Sequence, residues 1–313
     1  MQRYTFKLID GFKGKGKNVE STGIVDNRLL SFVTKNVSDE GVLFKSNKIN
    51  NNGKPIYRTP YREAEYKGLT ITYTENDNYR VKGSIHKYYN DGLHNYNDFS
   101  EIICKTTIVK LCKEFQIDPR EFILENLEIG INFLPPIKTN CILDLCYFHS
   151  TKPFESKYDN KSGRYIQSVH SQYIIKIYNK ALQYSSKGYK IEEDIMRFEI
   201  KFIVMEKLNN LGIYTLADLL EFDFSRFKSL LIKEWCKVFF FDKRVMNMDS
   251  FNQRYASIIY WKELLQRNSK SAYYKHRRKL NEYTLENTDN LKGKVKEVIS
   301  NKINLLVKKG CTF

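Results

Sequence analysis

Four short segments carry side chains suited to work on a phosphodiester. Residues 171–180, Ser171-Gln-Tyr-Ile-Ile-Lys-Ile-Tyr-Asn-Lys180, alternate as a strand. Gln172, Ile174, Lys176 and Tyr178 fall on one side, with Tyr173, Ile175, Ile177 and Asn179 on the other. The strand ends in Tyr-Asn-Lys, and the residues from Ala181 to Tyr184 look like the start of a helix. A phenol oxygen attacks phosphorus once it is deprotonated, and its ordinary pKa of about 10 means that it needs help. A neighbouring metal or the Lys180 ammonium would favour the phenolate, and Lys180 would also stabilise charge developing on the phosphate. The same composition equally makes an ordinary amphipathic strand.

Three other segments offer polar faces or ends. In Leu124-Glu-Asn-Leu-Glu-Ile-Gly-Ile-Asn-Phe133, Asn126, Glu128, Gly130 and Asn132 share one side of a strand. In 194–202, Arg197, Glu199 and Lys201 share one side, with Phe198, Ile200 and Phe202 opposite. His86 closes the strand 79–86. If these faces converge, Glu128, Glu199, Asn132 and His86 form an oxygen-rich set with a single imidazole, which favours Mg²⁺ or Mn²⁺ over zinc. Each also has a plainer reading. A strand Glu is commonly solvated, His86 is also suited to a structural hydrogen bond, and Arg197 with Glu199 would serve as a surface ion pair.

The elements that would position these groups come in two blocks. Up to about residue 205 the chain reads as strands: 4–10, the hairpin-like pair 69–74 and 79–86, then 124–133, 164–170, 173–178 and 194–202. Helices are expected over 99–115, capped by Asn97 or Asp98 with Ile102, Ile103, Thr106, Val109 and Leu111 on the apolar face, and over 139–149. Gly11-Phe-Lys-Gly-Lys-Gly-Lys17 lacks phosphate-loop spacing and reads as a flexible basic loop. Residues 46–57 read as turns and 152–163 as a basic loop. Beyond residue 204 helical spacing takes over, in 215–221, 225–238, 255–267, 271–286 and 291–309. The expected fold class is therefore α+β: an antiparallel-sheet domain over 1–205, followed by an all-helical basic domain over 206–313.

Composition narrows the partners. Among 313 residues, 52 Lys and Arg face 36 acidic residues, a net charge of +16 that suits a polyanion, nucleic acid above all. An anionic membrane competes for that role, but there is no apolar run long enough to span a bilayer and no signal-peptide layout, so a cytosolic protein without a membrane partner is expected. Six cysteines without a Cys-x-x-Cys pair read as reduced, mostly buried thiols. The densest basic-aromatic run, 271–279, offers Lys275, Arg277, Arg278 and Lys279 to DNA, and Lys176 and Arg197 lie beside the attacking strand for the same purpose.

Taken in order, Gly83-Ser-Ile-His-Lys-Tyr-Tyr-Asn90 with His94-Asn-Tyr-Asn-Asp-Phe99, Leu127-Glu-Ile-Gly-Ile-Asn132, Lys176-Ile-Tyr-Asn-Lys180 and Arg197-Phe-Glu-Ile-Lys201 resemble the phage and plasmid replication initiators of the filamentous-phage gene II/X family. Thr215-Leu-Ala-Asp-Leu-Leu220 resembles that family's following helical segment, so the likeness spans roughly residues 69–222. It implies an HUH-like rolling-circle endonuclease that nicks an origin, supercoiled or single-stranded, in the cytoplasm of a bacterial host. The products would be a covalent 5′-phosphotyrosine and a free 3′-OH for the host helicase and polymerase, and strands would later be rejoined. Tyr178 matches the nucleophile and Lys180 accompanies it. Glu128 and Asn132 occupy the polar strand of the metal pair, and Glu199 matches the acidic residue of an Arg-x-Glu strand. The chain departs from the wider superfamily in having no His-hydrophobic-His motif, so ligation would rest on carboxylates, with His86 as the one imidazole. Tyr184 stands as an alternative or second nucleophile, or as plain helix surface. A non-catalytic origin-binding protein is the competing reading.

Overall fold

The structure, a computed structural model, describes residues 9–17, 61–74, 78–97, 99–159, 163–242, 253–285 and 290–308. The first strands are β1 (Ile9–Lys17), β2 (Tyr61–Tyr66), β3 (Leu69–Thr74) and β4 (Asn78–Ser84). Next come α1 (Ile85–Tyr89), α2 (Glu101–Phe115), β5 (Ile123–Phe133), α3 (Thr139–Leu145), β6 (Cys146–His149) and β7 (Lys152–Pro153). They are followed by β8 (Glu155–Asp159), β9 (Gly163–Val169), β10 (Tyr173–Asn179), α4 (Lys180–Ser185) and β11 (Met196–Phe202). The rest is α5 (Glu206–Asn209), α6 (Leu216–Glu221), α7 (Ser225–Lys237), β12 (Val238–Phe240), α8 (Ile258–Glu263), α9 (Lys270–Leu285) and α10 (Leu291–Lys308).

The fold is mixed α and β around a nine-stranded sheet in the order β2-β3-β4-β1-β5-β11-β10-β9-β8, with a three-stranded sheet β12-β6-β7. The pairings β2–β3, β3–β4, β4–β1, β1–β5, β10–β9 and β9–β8 are antiparallel. Two compact units account for the contacts. One comprises Ile9–Ile129 with Phe202–Asp223, the other Gly130–Lys201 with Phe224–Phe313.

In the first unit β1 replaces the loop expected over 11–17. The run alternates Phe12, Gly14 and Gly16 against Lys13, Lys15 and Lys17, which is a strand pattern hidden by its glycines. Those glycines are small for a reason: a Cβ on Gly14 would lie 2.1 Å from the Phe122 ring, and one on Gly16 would lie 2.3 Å from the Tyr79 hydroxyl. The face left to solvent carries Lys13 and Lys15, both paired with Glu125. Helix α2 starts at a Ser100 cap, not at Asn97 or Asp98, and buries Cys104, Thr107, Ile108, Leu111, Cys112 and Phe115. Ile102 and Val109, expected on its apolar face, are exposed, because the helix turns its i, i+4, i+8 stripe from Cys104 inward instead.

In the second unit α7 buries Phe227, Leu231 and Trp235 at four-residue spacing. Trp235 stands edge-on to Phe198 of β11, with ring centroids 5.4 Å apart, and donates through its indole N–H to the Lys292 carbonyl at 3.1 Å. Fully burying one such side chain contributes about 1.5–3 kcal/mol, so α7 firmly backs the strand that carries Glu199. A second aromatic core gathers Phe148, Phe239, Phe241, Tyr255, Trp261 and Tyr273. It forms because the expected helix 139–149 stops at Leu145, and Cys146–His149 pairs instead with β12. That strand also interrupts the helical region expected from 206 onward. The expected basic loop 152–163 contains β7 and β8, and β8 pairs with β9. Cys104, Cys112 and Cys146 are buried free thiols as expected, whereas Cys141 and Cys236 are exposed and free. The turns expected at 46–57 lie outside the described residues, as do residues 4–8 of the first expected strand.

Candidate active site

The Tyr-Asn-Lys triplet is a strand-to-helix junction. Tyr178 lies near the end of β10, with Lys176 two residues before it on the same face, opposite Tyr165 and Gln167 of β9. Asn179 then caps α4: its Oδ1 accepts from the Leu182 N–H at 2.9 Å, while its amide donates to Asp194 at 2.6 Å. Lys180 is the first helical residue and is buried, at 2% exposure. Its Nζ donates to Gln183 Oε1 at 2.8 Å and lies 5.4 Å from the centre of the Tyr178 ring. Tyr184 is almost fully buried, with the Lys180 ammonium 5.1 Å from its ring centre and Tyr189 packed edge-on.

The Tyr178 hydroxyl donates to Glu199 Oε2 at 3.2 Å. Arg197, fully buried on the same face of β11, donates to that oxygen from Nε at 2.6 Å and to Asn132 Oδ1 from Nη1 at 2.9 Å. Lys176 Nζ stands 3.9 Å from the other carboxylate oxygen, Oε1. Glu199 is therefore oriented through Oε2, and Oε1 faces the lysine. Gly130 makes room for this arrangement, because a Cβ there would meet Arg197 Nη2 and Glu199 Cβ, both at 2.7 Å. Burying an arginine is costly unless it is paired, and here a carboxylate and an amide oxygen receive it.

Asp10, at the start of β1, was not among the expected site residues. Its Oδ1 accepts from Ser84 Oγ at 2.6 Å and from Asn95 Nδ2 at 2.7 Å. The β1–β5 register shifts between Ile9 and Phe12, a bulge that interrupts the alternation at Asp10. Glu128 lies over Gly11, where a Cβ would come within 2.8 Å of Oε2.

Asp10, Glu128 and Glu199 each offer a carboxylate oxygen, and these atoms lie within 4.8 Å of one another. Three anions so close repel one another, and a divalent cation between them would relieve that repulsion. An all-oxygen set suits a hard ion such as Mg²⁺ or Mn²⁺. The donors thus fit a metal ion.

No family model matches the sequence, and no curated protein does. Among solved structures the chain is similar to one titled "Structure of Rolling Circle Replication Initiator Protein from Geobacillus stearothermophilus". The match has 14% identity, covers 63% of this chain and 74% of that one, and has a TM-score of 0.32. So distant a likeness fixes no residue role.

The other expected site residues lie elsewhere or do other work. His86 is buried in α1, where its Nε2 meets Asn97 Oδ1 at 2.7 Å and its ring stacks on Phe99. It is not part of the carboxylate group. Asn132 receives Arg197 and holds a place behind Glu199. On α9, Lys275, Arg278 and Lys279 are exposed, whereas Arg277 is buried and donates to the Ser150 and Lys237 carbonyls at 3.2 and 2.8 Å. Among the described residues no helix is long and apolar enough to cross a membrane. The missed residue, Asp10, left one signal in the sequence: the two-residue alternation of the glycine-lysine run that follows it.

Proposed function

We propose that this protein is a DNA nickase that starts rolling-circle replication by tyrosine attack on an origin phosphodiester. The observation that carries the reading is the hydrogen bond from the Tyr178 hydroxyl to Glu199. The carboxylate that would take the phenol's proton belongs to the group suited to hold a metal. In the first step Tyr178 Oη bonds to phosphorus, its proton passes to Glu199 Oε2, and the bond from phosphorus to the 3′ oxygen breaks. The leaving oxygen takes a proton and becomes a 3′-OH, while the 5′ phosphate stays on the tyrosine. Rejoining is the reverse, with a 3′-OH attacking the phosphotyrosine.

Asp10, Glu128 and the Glu199 oxygen that faces Lys176 would hold Mg²⁺ or Mn²⁺. When bound, the ion would draw electron density from the phosphate oxygens. Lys176, about one-quarter exposed, would place an ammonium beside the strand being cut. Lys180 is held against Gln183 and acts on the ring of Tyr178 through its charge. Both tyrosines are buried, Tyr184 at 1% exposure and Tyr178 at 9%, and the less buried Tyr178, bonded to Glu199, is the nucleophile of this reading. The basic helices beyond residue 206 would grip duplex DNA, and the 3′-OH would prime a host polymerase behind a host helicase in a bacterial cytoplasm.

The test is a supercoiled plasmid bearing the DNA that surrounds the gene. With Mg²⁺ or Mn²⁺ the wild-type protein should relax it and remain attached to the 5′ end of the nicked strand. If binding is tight and salt-dependent but neither nick nor adduct forms under any metal, the non-catalytic origin-binding reading takes over.

A further inference from the structure

Two hollows open where α7 ends, α9 passes and α10 begins, sharing Cys236 and Asn281 in their walls. The larger, about 590 Å³, is lined by Lys237, Arg277, Arg278 and the exposed ring of Tyr274. The smaller, about 240 Å³, is lined by Lys292 and Lys296 beside Trp235. Among the described residues neither lining includes a carboxylate. Lys237 does have a counterion, Glu234, at 2.6 Å. Among the described residues the buried Arg277 and the half-buried Lys292 have no counterion: Arg277 donates to the Ser150 and Lys237 carbonyls, and Lys292 donates to the Cys236 carbonyl at 2.9 Å. Carbonyls satisfy hydrogen bonds without neutralising charge, so these two side chains bring positive charge to the walls. Burial, followed by the charges of Arg277 and Lys296, pushes Lys292 down to about 8. The first turn of α10 adds its positive end, with the Gly293 N–H held by Asn290 Oδ1 at 2.9 Å.

We propose that this double hollow binds the phosphate of a nucleotide, with Arg278 and Lys296 at its rim, Arg277 and Lys292 in its walls, and Tyr274 against the base. An arginine fork matches two phosphate oxygens, and a partly exposed tyrosine gives a stacking face that tolerates any base. The hollow has the volume of a small-ligand site. Nothing in it depends on the nicking reading, since none of its residues touches Tyr178 or the carboxylate group.

Binding is measured in EDTA, so that no metal-dependent chemistry contributes. The probes are a short fluorescent oligothymidylate, adenosine monophosphate and inorganic phosphate. The rim variant Arg278→Ala/Lys296→Ala should weaken oligonucleotide binding about tenfold and flatten its salt slope by about 1.4, the value for two lost contacts on a single strand. At pH 8, calorimetry in two buffers should show proton uptake on binding, which Lys292→Gln should abolish, because an anion beside Lys292 restores its proton. If adenosine monophosphate or inorganic phosphate binds with the same variant sensitivity and the oligonucleotide does not, the phosphate site stands and its source is a free nucleotide. If no probe binds, or if wild type and rim variant bind all probes alike, the proposal is overturned.

Discussion

Tyr178 and Glu199, on different strands and twenty-one residues apart, are joined by one hydrogen bond from the phenol to Oε2 at 3.2 Å. Arg197 holds the same oxygen more closely, at 2.6 Å. The carboxylate is thus fixed by the guanidinium, and the tyrosine is the looser partner. Under the proposed attack on phosphorus, that asymmetry would keep the proton acceptor in place when the tyrosine moves.

Removing the Tyr178 hydroxyl should therefore separate chemistry from folding. Tyr178→Phe should form no covalent DNA adduct on a denaturing gel, while its urea midpoint shifts by no more than one ordinary hydrogen bond, about 1 kcal/mol. Tyr184→Phe should still form the adduct. An adduct on Tyr178→Phe at wild-type yield would remove Tyr178 as nucleophile.

The carboxylate group should respond to metal before any DNA is added. Mg²⁺ or Mn²⁺ at a hundredfold excess over its dissociation constant should stabilise the fold by about 2.7 kcal/mol. Asp10→Asn and Glu128→Gln should each abolish most of that gain, while His86→Gln should retain it. A thermal midpoint indifferent to both ions would count against a metal site, whatever the DNA assays show.

Much of this site was legible because strand alternation is local. The faces holding Lys176 and Tyr178, then Glu128, Gly130 and Asn132, then Arg197 and Glu199, follow from period two alone. The strand order β1-β5-β11-β10 is not sequence order and does not follow from alternation. Asp10 escaped notice for a related reason. Gly14 and Gly16 are glycines because Phe122 and Tyr79 occupy their side-chain space, and a contact over such a sequence distance leaves no local apolar mark. The burial of Lys180, Tyr184 and Arg197 was likewise invisible, since a charged or phenolic residue on a strand face or in a first helical turn reads as exposed until its neighbours are known. The histidine and asparagines of 86–97 tie one another and Asp10 in place, through Asn97 on His86 and Asn95 on Asp10.

Gly130 is the tightest steric requirement behind the site. In Gly130→Ala the new methyl must displace Arg197 Nη2, the Glu199 Cβ or the Phe198 carbonyl, the last only 2.9 Å away. Overpacking of this kind costs about 1–3 kcal/mol. Nicking should fall further than stability, because the displaced groups are those that orient Glu199. Equal urea midpoints for Gly130→Ala and wild type would contradict the close approach.

Arg197 should behave as a positioning residue. Arg197→Met leaves Glu199 buried without its cation and Asn132 without its donor, so a loss of about 3–5 kcal/mol is expected. In the double variant Arg197→Met/Glu199→Gln most of that loss should return, because the stranded charge is gone, but nicking should not. Recovery of stability is read by urea titration and the failure of nicking by the adduct gel. If the double variant is no more stable than the single one, the pair is not the coupled unit drawn here.

Glu234 supplies an acid-sensitive fold contact away from the site. Burial pushes its carboxyl up, but His149 at 3.1 Å, Lys237 at 2.6 Å and their charges outweigh that and hold it down to about 2. The unfolded carboxyl, at about 4.3, binds a proton more readily than the folded one, so stability rises with pH through this window. The contribution is fully present above about pH 5 and is lost as pH falls toward 2. A shift of roughly two units is worth about 3 kcal/mol to order of magnitude. Glu234→Gln should have a flatter stability profile than wild type between pH 5 and about 2, with the two curves converging at the acid end. Urea midpoints taken across that range decide it: parallel curves would mean that Glu234 does not carry the acid response.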